Sequence, residues 1–276
     1  MEGPRIKTII IVILLLINGF LLVLVGSRKG EVRRYEQSAL TRSIQVLKEN
    51  GIEMSEDAIH SQSGQQASST ERSIRAEQKA ASALLGGEVE GANRGGGLYI
   101  YRTDRGQVSF RFGGELTAIL KDDPRWYADD PLAHAADLVS AMKVEAELVS
   151  ANVSDGSGRV VYRQTLNGVP LFSCRLVFTY EEGRLTGVAG NLLAAEEFAG
   201  ESAEVISLPT VLMRFLDHVL SGGDVVSAIL AVEPGYLTAQ SFTGTVRLTP
   251  VWLISTNTAD YYVDGITGEL SRVTEN

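Results

Sequence analysis

Three histidines, one cysteine and a few paired carboxylates are the groups in this chain that could do chemistry. Their spacing argues against most of it. His60, His134 and His218 lie far apart, and none stands at ligand spacing from another His or from Cys174. A zinc site needs such side chains to converge, usually with a short-range spacing signature. There is no Gly-x-Ser-x-Gly elbow, no phosphate loop and no His-Glu-x-x-His. Asp122-Asp123 and Asp129-Asp130 flank Trp126-Tyr127. Such pairs suit a calcium or sugar-binding loop, but no EF-hand spacing follows, and a solvated linker is the simpler reading. Glu181-Glu182 and Glu196-Glu197 read as turn and surface charges. Cys174 alternates with Phe172, Leu176 and Phe178, which puts its thiol on the apolar face of a strand as a small buried hydrophobe. The expectation is a protein that is not an enzyme and uses no cofactor or metal.

Composition narrows the partners. The chain has 276 residues, is 44% hydrophobic and carries a net charge of −9. That charge argues against nucleic acid as a ligand, because binding it requires a basic surface. A single cysteine excludes an intramolecular disulfide.

The elements that must position these groups follow from periodicity. Glu31–Asn50 places Tyr35, Ala39, Ile44 and Leu47 at helical spacing, and Asn50-Gly51 stops it. Ser61–Thr70, reading SQSGQQASST, is predicted to be a flexible loop. Arg72–Leu85 is a helix closed by Gly86-Gly87, followed by strands within Leu98–Leu120. Pro131 opens a helix predicted to span Ala133–Leu148, with Leu138, Met142 and Leu148 among its apolar positions. Strands then run from Arg159 to Leu193. Asn167-Gly168 is the strongest hairpin signal, since both residues tolerate positive φ, and Glu181-Glu182-Gly183 makes the next turn. Val211–Leu220 is a third helix, with strands at Val225–Val232, Val246–Ser255, Tyr261–Val263 and Leu270–Val273. Helix followed by antiparallel meander, more than once, is an α+β plan with helices on one sheet face.

Ahead of these elements stands an uncharged stretch, Thr8–Val25, reading TIIIVILLLINGFLLVLV. At about 1.5 Å per residue a helix of that length crosses most of a hydrocarbon core roughly 30 Å thick. The expectation is an uncleaved N-terminal transmembrane anchor. Val25-Gly26-Ser27 before Arg28 keeps a cleaved leader open as the alternative. Asn18, the polar residue inside the span, reads either as a tolerated amide or as a helix–helix contact. Arg28, Lys29, Arg33 and Arg34 follow the span, against Arg5 and Lys7 before it. That count alone points to a cytoplasmic body. The short N-terminal tail reads as a signal-anchor, and the expectation is an extracytoplasmic body.

Two segments carry a family resemblance. The chain ends LTPVWLISTNTADYYVDGITGEL, and its middle contains VYRQTLNGVPLFSCRLVFTYEEGRLTGVAG. Both resemble PepSY-type modules, in which a strand near Pro-x-Trp pairs with one closing on an Asp-x-x-Thr-Gly-Glu turn. Here those residues are Pro250, Trp252, Asp264, Thr267, Gly268 and Glu269. Trp252 would anchor the core of its sheet. With its basic tail, anchor, Leu47–Ile52 segment and Ala-rich helix closing on Leu84-Leu85-Gly86, the whole chain is similar to the YycI/YycH-type two-component regulatory proteins of Gram-positive bacteria.

The resemblance implies four parts: tail and anchor at 1–29, a first α+β unit at 30–125, and PepSY-like units at 126–200 and 201–276. It implies a cell-membrane protein, single-pass, that restrains a cell-wall sensor histidine kinase through transmembrane helix contact. Ile13, Leu16, Asn18 and Gly19 are the implied contact points. A second protein of the same family and membrane lipid are further implied partners. The alternative is an anchored module that binds peptide or cell wall, or that inhibits a protease.

Overall fold

The structure, a computed structural model, describes residues 14, 18, 35–60, 65–200, 203–222, 225–241 and 244–274. Helix α1 covers 35–49 and ends where Asn50 and Gly51 close its last turn, Gly51 at φ +83°. Strand β1 is Ser68–Glu71, and α2 is Ile74–Leu85. Ser73 caps α2 by accepting the Ala76 N–H, and Gly86, at φ 72°, ends it. Four strands follow as a meander: β2 Glu90–Asn93, β3 Tyr99–Thr103, β4 Gly106–Phe110 and β5 Glu115–Leu120. Helix α3, Pro131–Ala141, begins with proline at its first position, while the Asp130 carboxylate accepts the Leu132 and Ala133 N–H groups.

A second meander comprises β6 Ala146–Ser154, β7 Ser157–Leu166, β8 Val169–Glu181 and β9 Arg184–Asn191. After the two-residue β10, Ala199–Gly200, comes α4, Leu208–Gly222. The third meander is β11 Ile229–Gln240, β12 Thr245–Thr256, β13 Asp260–Asp264 and β14 Leu270–Arg272. The fold is α+β, and a helix followed by four antiparallel strands occurs three times.

The first two meanders join through their last strands, β5 against β9 antiparallel. Helices α2 and α3 lie over this combined sheet, and both meanders share one core containing Leu84, Tyr101, Phe110, Trp126, Leu138, Phe178 and Tyr180. A second core lies under the third meander. There α4 supplies Val211, Leu212, Phe215 and Leu216, and β12 and β13 supply Ile254, Tyr261 and Val263. The same core takes in Leu40 and Leu47 of α1 together with Ile52, Met54 and Ala58. Residues 35–58 therefore precede the first meander in sequence but pack with the third. Their apolar stripe is buried by α4 rather than by α2.

The two halves meet at a parallel pairing of Leu171 on β8 with Tyr236 on β11. Around it sits a small core of Leu171, Cys174, Tyr236, Val246 and Leu248. Gly235 is required at this joint: a Cβ there would lie 2.2 Å from the Phe172 ring.

Three expectations are corrected. Helix α3 stops at Ala141 rather than continuing to Leu148. Met142 caps it, Lys143 takes φ 56°, and Leu148 is a half-exposed residue of β6. The apolar residues after Met142 alternate, and a strand reading wins once the turn intervenes. The polar stretch 61–70 is not all loop. Its last residues enter β1, which pairs with the half of β12 that β13 leaves uncovered. Strand β11 lies at 229–240 rather than 225–232 because it absorbs Pro234-Gly235 in mid-strand. Those residues normally mark a break.

Among the described residues no helix is long and apolar enough to cross a membrane. Of Thr8–Val25 only Leu14 and Asn18 are described, both helical and exposed. Ile13, Leu16 and Gly19 lie outside the described residues.

Candidate functional site

Strand β12 carries a proline in mid-sheet, where the lack of an N–H usually breaks a ladder. Pro250 falls at a gap. On that edge β1 pairs only as far as Leu248, and β13 begins at Val251. The Pro250 carbonyl accepts the Gly265 N–H at 2.7 Å, and the Gly265 carbonyl accepts the Ile206 N–H at 2.8 Å. The loop entering α4 is thereby tied to the sheet. Gly265 is needed for this approach, since a Cβ there would lie 2.7 Å from the Pro250 oxygen and 3.2 Å from a Val205 methyl. Asp264 shapes the turn that presents it: its carboxylate accepts the Ile266 and Thr267 N–H groups, both at 2.8 Å. Gly268 completes the turn at φ 73°, its N–H donating to the Asp264 carbonyl.

This tie builds one wall of a cavity of about 310 Å³. Val205, Ile206, Ser207, Leu208 and Pro209 form the wall at the start of α4. Glu36, Gln37 and Leu40 of α1 form another, and Gln65 and Trp252 close it. The volume sits at the lower end of small-molecule sites, roughly 300–1,000 Å³. Trp252 is 6% exposed, opposite Pro234 on one side and Val263 on the other. Gln65 is 7% exposed, and its Nε2 donates to the carbonyls of Gly235 and Val251. Two of these lining residues each carry a buried polar atom with no partner among the described residues, the Trp252 Nε1–H donor and the Gln65 Oε1 acceptor. An unmet buried polar atom costs about 1–3 kcal/mol, so two are an unusual expense.

Pro250, Trp252, Asp264 and Gly268 thus cooperate around one cavity. Asn167 and Gly168 do not. They form the β7–β8 turn at φ 52° and 76°, a hairpin connection at the far joint. Sequence reading missed Glu36, Gln37, Leu40, Gln65 and the 205–207 loop. A glutamine in a polar run gives no local signal of burial.

The other chemical candidates are tied into structure. Asp123 accepts the Arg125 N–H, Asp130 caps α3, and Asp122 accepts the Tyr127 hydroxyl at 3.0 Å. No group of three or more metal-ligating side chains occurs among the described residues. The His134 Nδ1 meets the Tyr180 hydroxyl at 3.1 Å, and burial, with a smaller contribution from Arg125, lowers its pKa. Cys174 is buried, and desolvation raises its thiol pKa. Arg72 and Glu77 form a buried ion pair at 2.5 Å.

No protein-family description matches the chain. No curated protein matches it either. Among solved structures it is similar to an uncharacterized protein from Eubacterium rectale ATCC 33656, with a TM-score of 0.47 and 10% identity over 76% of this chain and 86% of that one. It is also similar to the C-terminal domain of YpeB from Bacillus megaterium, with a TM-score of 0.36 and 12% identity over 75% of this chain and all of that one. Likenesses this distant carry no statement of function.

Proposed function

We propose that this chain is a single-pass, membrane-anchored regulator with PepSY-like units, its body extracytoplasmic. It acts by contact with a sensor histidine kinase of cell-wall metabolism rather than by catalysis. The observation that carries the reading is the uncharged span Thr8–Val25 joined by a short basic segment to α1. Glu36 follows Val25 by only eleven residues. Even fully extended, at about 3.3–3.6 Å per residue, that connection holds Glu36 within about 40 Å of the bilayer. The cavity wall is therefore a membrane-proximal surface.

The experiment replaces Ile9–Val25 with an unrelated apolar helix and follows kinase output and co-purification with the kinase. Output rises and co-purification is lost while the body keeps its thermal unfolding profile. A soluble body that still restrains the kinase would refute the reading. Accessibility of the body to external protease in intact cells tests its side of the membrane.

A second reading, an anchored module that binds peptide, is favoured by one feature: a cavity of about 310 Å³ bordered by Leu40, Ile206, Leu208 and Trp252.

A further inference from the structure

We infer that Asn167 is a site of spontaneous covalent modification, in which the Gly168 backbone nitrogen displaces the side-chain amide and leaves aspartate or isoaspartate at position 167. The inference is independent of the tethered-regulator reading. An Asn-Gly pair suits this reaction because glycine puts no Cβ beside its own attacking nitrogen. The chain holds three such pairs, Asn18-Gly19, Asn50-Gly51 and Asn167-Gly168. Gly19 lies outside the described residues. The other two are the same dipeptide, and only their surroundings in the fold distinguish them.

At Asn50 both reacting groups are engaged. Its side-chain amide donates to the Val46 carbonyl at 2.8 Å, and the Gly51 N–H donates to the Lys48 carbonyl at 3.0 Å. The Ile52 N–H, bonded to the Leu47 carbonyl at 3.0 Å, and the buried Ile52 side chain pin the chain that follows. At Asn167 the backbone N–H donates to the Glu145 carboxylate at 3.1 Å, while the side-chain amide and the Gly168 N–H make no hydrogen bond among the described residues. Both residues are exposed in the two-residue β7–β8 turn, and beyond the chain neighbours no heavy atom lies within 4 Å of the place a Gly168 Cβ would occupy. The turn can therefore pivot into open space.

The step balances with water as its one co-reactant. The Gly168 nitrogen attacks the Asn167 Cγ. The N–Cγ bond forms, the Cγ–Nδ2 bond breaks, and the Gly168 proton leaves with Nδ2 as ammonia. Water then opens the cyclic imide. Cleavage at Cγ gives aspartate, and cleavage at the main-chain carbonyl gives isoaspartate. Either product sets a new carboxylate near Glu145, at the tip of a hairpin whose Leu166 and Val169 pack against the small core of the joint.

The test incubates the full chain in lipid nanodiscs at mild alkaline pH, and the same chain unfolded in urea and detergent. Peptide mass mapping follows both sites. In the folded protein Asn167 converts about tenfold faster than Asn50, the advantage expected where hydrogen bonds need not break first. In the unfolded chain the two rates converge. Equal rates at the two sites in the folded protein, a faster Asn50, or an Asn167 that stays intact until the chain is unfolded would each overturn the proposal. So would a gap that persists in the unfolded chain, since flanking residues rather than the fold would then set the order.

Discussion

Arg163 on β7 and Glu233 on β11 are 70 residues apart in sequence and 2.8 Å apart in space. The same guanidinium meets Glu147 at 2.7 Å and lies over the Phe172 ring, 5.0 Å from its centre. It is the charged clasp of the joint, where Ser173 and Thr238 also share a 2.7 Å hydrogen bond. The two carboxylates are not equivalent. Glu233 is 26% exposed and Glu147 is 44% exposed. A bond to the drier partner is worth more, because water screens the wetter one.

Arg163→Ala is therefore expected to destabilise the fold by about 2–3 kcal/mol in urea unfolding. Glu147→Ala should cost under about 1 kcal/mol. If Glu147→Ala costs as much as Glu233→Ala, the clasp is not what Arg163 provides.

Gly265→Ala forces a methyl toward the Pro250 carbonyl and Val205. Overpacking of this kind costs about 1–3 kcal/mol. The strain falls on the loop before α4, so hydrogen exchange at the Ile206 amide should accelerate while amides of β4 and β5 keep their protection. Uniform loss of protection would mean the two halves unfold together.

Stability should fall with acid near the histidine range. Burial holds the folded-state pKa of His134 below its ordinary value of 6.5, with the Arg125 charge adding to the effect and Asp137 opposing it. The unfolded chain therefore binds the proton first. The His134 contribution is complete above the unfolded pKa and is lost as pH falls through it toward the lower folded pKa. Urea midpoints between about pH 8 and about pH 5 should show this slope, and His134→Gln should remove it. The same slope in the variant would place the effect elsewhere.

Cys174 should be inert in the folded protein. Its thiol is buried, and desolvation raises its pKa, outweighing the hydrogen bonds from Thr238 and Ser173. Reaction with an aromatic disulfide reagent at mild alkaline pH should track unfolding and reach one thiol only in denaturant. Rapid labelling of the native protein would mean that the joint opens on its own.

Much of the local structure is legible in the residues. Asn167-Gly168 makes its turn because both residues tolerate positive φ, and the next turn has Gly183 at φ 76° beside Glu182 at φ 50°. Asp130-Pro131 starts α3 because a carboxylate caps and a proline fits where no N–H is needed. The alternation of Phe172, Cys174, Leu176, Phe178 and Tyr180 fixes the buried face of β8. These are short-range rules, and a sequence carries them whole.

What the chain could not declare by itself was partnership between distant segments. The stripe of α1 says that something covers it, but only the folded molecule selects α4 over the nearer α2. Gln65 sits in a polar run with no periodicity, and its burial is decided by carbonyls of Gly235 and Val251 on two remote strands. Pro234-Gly235 spells a turn locally yet lies in a strand, because the Phe172 ring occupies the space a side chain would need. Hydrophobic burial is non-directional and long-range. Turn and cap signals travel with their residues, while the cavity that joins Glu36, Gln65, Ile206 and Trp252 exists only once the sheets have closed on one another.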